Sequence, residues 1–159
     1  ASIVRNQVTG DKFIVRFLTN SGAVQRLMNL HVAAAESEFV VSVLNFGPSS
    51  DGIFFSVGEF VVGDLRTRIR PEAQGVEDDE EFWRLATQLS RGVADIHRNG
   101  VLHLAVQPAN LFLTKHGNLR IAQFFRACTI GHVEAPNENF QVRVELDVSS
   151  LELRVDSAR

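Results

Sequence analysis

The sequence predicts an α+β fold, a small antiparallel sheet with one helix followed by a mainly helical lobe. Three observations carry this. Residues 1 to about 69 read as short strand-like runs broken by turns, with one helical stretch among them. Beyond them, Phe82, Leu85, Ala86, Leu89, Val93 and Ile96 recur at the spacing of one helix face. Asn99-Gly100 then closes that stripe, as a residue free to turn left-handed commonly ends a helix.

The elements follow in order. Residues 2–6 and 12–18 flank Thr9-Gly10-Asp11, a glycine-bearing turn between two strand-like runs, which predicts a hairpin. Within the second run Phe13, Val15 and Phe17 alternate with Lys12, Ile14 and Arg16, the period of a strand. Residues 23–35 change period. Val24, Leu27, Met28, His31, Ala34 and Ala35 form the stripe of a helix packed on a sheet. Residues 39–46 and 53–57 are strand-like, joined by a turn over 47–52 that contains Pro48, Ser49, Ser50 and Asp51. Residues 66–75 connect to an acidic run at 77–81, whose carboxylates complement the positive start of the long helix by about 0.3–1 kcal/mol. Short strand-like pieces at 101–103, 111–114 and 119–121 follow, the last two around a turn at 115–118.

Composition narrows the function classes. With 159 residues, 45% apolar and 22% charged, the chain is expected to be one domain, not a disordered tail or a coiled rod. A net charge of −3 leaves no large positive field, so nucleic acid is not an expected partner. Apolar runs such as residues 32–35 fall far short of the roughly 18 residues that cross a bilayer, and no membrane association is expected. The one cysteine, Cys128, cannot form an internal disulfide, and a reducing, cytoplasmic compartment is the expectation. No secretory signal opens the sequence, and a start at Ala1 suggests a segment of a longer polypeptide.

Residues 97–127 carry the most specific pattern. His103, Pro108, Asn110 and Phe124 fall where protein kinases have H-R-D-L-K-P-E-N followed by D-F-G, with the same spacing between the two motifs. Residues 8–18 resemble the second and third strands of a kinase small lobe, and 23–35 its C helix. Val57-Gly58-Glu59-Phe60 is similar to the gatekeeper and hinge, with Gly63-Asp64-Leu65 opening the large lobe. Ala135-Pro136-Asn137 resembles a degraded A-P-E, and residues 147–151 the start of the F helix. The resemblance covers about residues 4–155. It implies one partial protein-kinase-like domain over 1–159, with a small lobe at 1–62 and a truncated large lobe at 63–159. His103-Leu104 in place of His-Arg is similar to the giant muscle kinases of the titin, twitchin and obscurin type.

The resemblance also fixes what is replaced. Arg16 stands at the nucleotide-binding lysine, and Leu27 at the helix glutamate that pairs with it. Ala105 replaces the catalytic aspartate, Gln107 the lysine after it, and Gln123 the aspartate of D-F-G. Asn110 is retained, and Phe125 takes the place of the glycine. No glycine-rich phosphate loop precedes Val4. Losing a positioned general base typically costs ~10²–10⁴ in rate, and a neutral amide is a poor ligand for a hard dication.

These departures lead to an expected non-enzyme. It would be a catalytically inactive pseudokinase scaffold with no catalytic, cofactor or metal site, binding protein partners or adjacent domains of its own polypeptide, with the sarcomere as the expected setting. Two alternatives remain: an atypical ATP-binding kinase rebuilt around Arg16, Asn110, Glu59 or Asp64, and a purely structural spacer. The cleft is expected to be closed or apolar, filled by Leu27, Phe124 and Phe125. An apolar contact face is expected around Leu146, Leu151, Leu153 and Val155. His103 is expected to be a packed scaffold residue, and Cys128 an incidental thiol.

Overall fold

The hairpin forms where the turn chemistry puts it. A computed structural model describes residues 2–18, 21–67 and 79–130. Strands β1 (Ser2–Arg5) and β2 (Lys12–Leu18) pair antiparallel. Asn6 Oδ1 accepts the N–H groups of Val8 and Thr9, and Gly10 takes φ 79°, a left-handed turn that glycine makes without strain. Strands β3 (Val43–Pro48) and β4 (Phe54–Glu59) complete a four-stranded sheet of order β1-β2-β4-β3. Helix α1 (Gly22–Ala34) is capped by Ser21, whose hydroxyl accepts the Val24 N–H at 3.3 Å. It buries Leu30, His31 and Ala34, as its stripe requires.

The strand boundaries moved for a physical reason. Residues 39–41 do not join the small sheet. The Phe39 carbonyl accepts the Ile121 N–H at 2.7 Å, and the Val41 N–H donates to the Ile121 carbonyl at 2.9 Å. A parallel bridge between Val40 and Ile121 therefore anchors the connector after α1 to the second lobe. Strand β3 in turn runs through Pro48, and the reversal shifts to Ser49–Ile53, where Gly52 is left-handed at φ 77°.

In the second lobe, β5 (Gly63–Asp64) precedes a short 3₁₀ turn at Leu65–Thr67. The long helix is α2 (Asp79–Arg98), and Gly100 at φ 75° turns the chain into β6 (Val101–Leu102). A 3₁₀ turn at Pro108–Asn110 leads to β7 (Leu111–Leu113) and β8 (Leu119–Ile121), which with β5 form a three-stranded sheet. β9 (Cys128–Thr129) pairs with β6. The core lies where α2 meets these strands, around Ile96, Leu102, Leu119, Ile121 and Val40, all buried. The long helix can press on β8 because Gly92 has no side chain: a Cβ there would stand 2.8 Å from both Ile121 Cδ1 and Phe39 Cβ.

The segments expected at 135–137 and 147–151, and the expected face of Leu146, Leu151, Leu153 and Val155, lie outside the described residues. No helix among the described residues is long and apolar enough to cross a membrane.

Candidate functional site

The site assembles on the turn after β6. His103 is fully buried, with both ring nitrogens engaged. Its Nε2–H donates to the Ala122 carbonyl at 2.9 Å, while Nδ1 accepts the Ala105 N–H at 3.2 Å. An imidazole that donates on one side and accepts on the other is a fixed neutral tautomer. It is a strut for the loop, as the sequence pattern implied.

Asn110 completes the loop. Its Nδ2 donates to the Ala105 carbonyl at 2.8 Å, and its own carbonyl accepts the Ala122 N–H at 2.9 Å. Position 105 is thus held from both sides, but it offers only a methyl group. Gln107 is extended and exposed before Pro108. Two residues near the loop carry backbone strain, Leu104 at φ 55° and Gln123 at φ 69°. Each is a left-handed conformation that disfavours a side chain by about 1–2 kcal/mol.

Gln123 aims the following Phe124 inward. Phe124 is buried, stacked on His31 with centroids 4.6 Å apart and meeting His103 edge-on, also at 4.6 Å. His31 donates its Nε2–H to the Val41 carbonyl at 2.9 Å. Burial, opposed in part by that hydrogen bond, pushes the imidazole down to about 4, with the Arg16 charge adding in the same direction.

On the sheet side, Arg16 stands opposite Ser56 in the β2–β4 register. Burial holds its guanidinium below its usual range, and no hydrogen bond or ion pair from the described residues reaches it. Leu27 packs against the core and gives Arg16 no carboxylate. Arg16, Leu27, Gln123, Phe124 and Phe125 line one cavity of about 50 Å³. Phe125 does not fill it. The ring is 64% exposed and stands at the mouth, because the turn at 125–126 swings it outward, so the cleft expected to be closed or apolar is open with a largely apolar lining.

The two other acids considered are already paired. Glu59 Oε1 accepts Arg120 Nε at 2.9 Å and the Ser42 N–H at 3.2 Å. Asp64 takes the Arg66 guanidinium twice, at 3.0 and 2.7 Å, which holds its carboxyl below the usual range. The donors left near the loop are the amides of Gln123 and Asn110. That set does not fit a divalent cation, which prefers carboxylate oxygens, and no cluster of three His, Cys, Asp or Glu stands among the described residues. The chemistry available is electrostatic: a guanidinium and amide N–H groups that can hold phosphate oxygens. Three features were missed by the sequence reading: the Glu59–Arg120 pair, the Ser37 hydroxyl donating to Asp95 at 2.7 Å, and the contact at Gly92. Only Gly92, a glycine within a helical stripe, left a signal in the sequence.

Comparison with known proteins agrees with this geometry. Residues 6–143 match the protein kinase domain family. The serine/threonine-protein kinase RIM15 of Saccharomyces cerevisiae is 24% identical over 130 residues, which cover 77% of this chain and 7% of that protein. The probable serine/threonine-protein kinase pknA2 of Bifidobacterium longum is 28% identical over 114 residues, 72% of this chain and 14% of that protein. The mitosis inhibitor protein kinase mik1 of Schizosaccharomyces pombe is 30% identical over 93 residues, 58% of this chain and 16% of that protein. The chain thus spans a small part of the relatives it matches. Their names and the domain match overturn the expectation of a non-enzyme drawn from Ala105, Gln123 and Arg16, and point to a kinase. With its catalytic-loop frame built on His103, Asn110 and Phe124, the chain belongs to the protein kinase domain family.

Proposed function

We propose that this chain is part of a serine/threonine-type kinase domain that binds a nucleoside triphosphate beside Arg16. Phosphoryl transfer asks mainly for placement and charge stabilisation rather than covalent help from the protein. The observation that carries the reading is Arg16 itself, a half-buried guanidinium with no partner among the described residues, on the cavity wall next to Gln123. A planar fork of donors suits phosphate oxygens, and the amide of Gln123 adds neutral hydrogen bonds. With Ala105 at the position of the base, turnover is slow, and with Gln123 at the metal position it depends weakly on a divalent ion.

The test is transfer of labelled γ-phosphate to a serine/threonine peptide library by the full polypeptide, with Arg16→Met as control. Transfer that falls in the variant supports the reading; transfer unchanged by the variant counts against it.

The same fold is also proposed to hold a protein partner or an adjacent domain of its own polypeptide. The supporting observation is the apolar outer surface of the small sheet, where Val4 and Phe17 are exposed. A place among the giant muscle kinases, in the cytoplasm or sarcomere, rests on His103-Leu104. The sequence of the parent polypeptide tests it directly, through flanking immunoglobulin or fibronectin modules.

A further inference from the structure

We propose that the cavity between α1 and β2 is a binding site for a small apolar carboxylate. Besides the Gln123 amide, two polar groups in it lack partners among the described residues. One is the Arg16 guanidinium; the other is the hydroxyl of Ser56, a residue only 5% exposed, directly across the β2–β4 register from Arg16. Both line the cavity, and no hydrogen bond to either side chain forms among the described residues.

Apart from Gln123 and His31, the rest of the wall is apolar. Helix α1 turns Val24, Leu27 and Met28 toward the cavity, and it carries no acidic residue in its first turn. His31 gives its one N–H to Val41 and adds no charge at neutral pH. An unpaired cation against an apolar wall is costly to leave unmatched, and it fits an anion whose body is also apolar. A carboxylate meets the guanidinium with two parallel hydrogen bonds and leaves an oxygen lone pair for the Ser56 O–H. A volume of about 50 Å³ admits a carboxylate head with a few carbons. A longer body would lie along the exposed ring of Phe125 at the mouth.

This site shares Arg16 with the proposed nucleotide reading, so the test separates the two. Butyrate is titrated calorimetrically into the full chain, beside butyramide, inorganic phosphate and ATP. The expected result is saturable butyrate binding with butyramide at least about tenfold weaker, since one charged hydrogen-bonded contact is worth roughly that much. Arg16→Met removes butyrate binding and Ser56→Ala weakens it several-fold. Leu27→Glu places a carboxylate in the same cavity, and it lowers butyrate affinity while leaving the fold intact by circular dichroism. Equal binding of butyrate and butyramide overturns the inference. So does butyrate binding that survives Arg16→Met. Binding of phosphate or ATP without butyrate overturns it while supporting the nucleotide reading; butyrate without ATP does the reverse.

Discussion

His31 lies nearly parallel to Phe124, with ring centroids 4.6 Å apart and planes inclined by 17°. The contact joins α1 to the turn after β8, and His103 closes it from the other side, edge-on to the same ring. Three elements distant in sequence thus share one aromatic column beneath Arg16. Its stability depends on His31 staying neutral, because neither neighbour supplies a negative charge.

Acid should weaken the fold through this residue. The folded value of about 4 lies below the ordinary 6.5, so the unfolded chain binds the proton more readily. The contribution is complete above about pH 6.5 and is lost as pH falls toward 4, to a total of about 3 kcal/mol. Denaturant midpoints measured from pH 8 to pH 4 should fall over that window. His31→Phe should flatten the profile; an equally steep profile in the variant would place the effect elsewhere.

Phe124 and Phe125 are adjacent and should behave oppositely. Phe124 is buried in the column, and Phe124→Ala should cost about 3–5 kcal/mol. Phe125 is exposed, and Phe125→Ala should change stability by less than about 0.5 kcal/mol. Thermal unfolding of the pair decides this. Comparable losses would mean that Phe125 packs.

Gly92→Ala probes the seat of α2 on β8. The added methyl would meet Ile121 and Phe39 at 2.8 Å, well inside normal contact, and overpacking of this kind costs about 1–3 kcal/mol. On an exposed helix face the same change would stabilise. A higher melting temperature in the variant would contradict the close approach.

Glu59 and Arg120 link the small sheet to the second lobe at 2.9 Å, with about a fifth to a quarter of each side chain exposed. A double-mutant cycle of Glu59→Gln and Arg120→Met should give a coupling of about 0.5–1 kcal/mol that shrinks at high salt. Coupling indistinguishable from zero at low salt would mean the pair does not hold the lobes together.

Much of this architecture was legible because it rests on local pattern. The hairpin at Gly10, the stripe of α1 and the Gly100 turn after α2 follow from turn chemistry and periodicity. The frame of the loop was legible from the spacing of His103, Asn110 and Phe124. Residues 39–41 were not, since a strand-like run does not say which sheet it will bond, and theirs is β8 in the other lobe. Nor was the outward turn of Phe125, which depends on the backbone at 123–126. The step from Ala105 and Gln123 to a non-enzyme did not survive comparison with named kinases. Missing side chains at one site lower a rate; they do not by themselves assign a role.

Nucleotide binding by the full polypeptide tests the central claim most directly. Melting temperature is measured with millimolar ATP, with and without Mg²⁺, in the wild-type chain and in Arg16→Met. Ligand at a hundred times its Kd stabilises by about 2.7 kcal/mol. The account predicts a rise with ATP that depends little on Mg²⁺, because Gln123 and Asn110 offer only amide oxygens, and that disappears in Arg16→Met. No shift in the wild-type chain, or a shift of the same size in the variant, would contradict it.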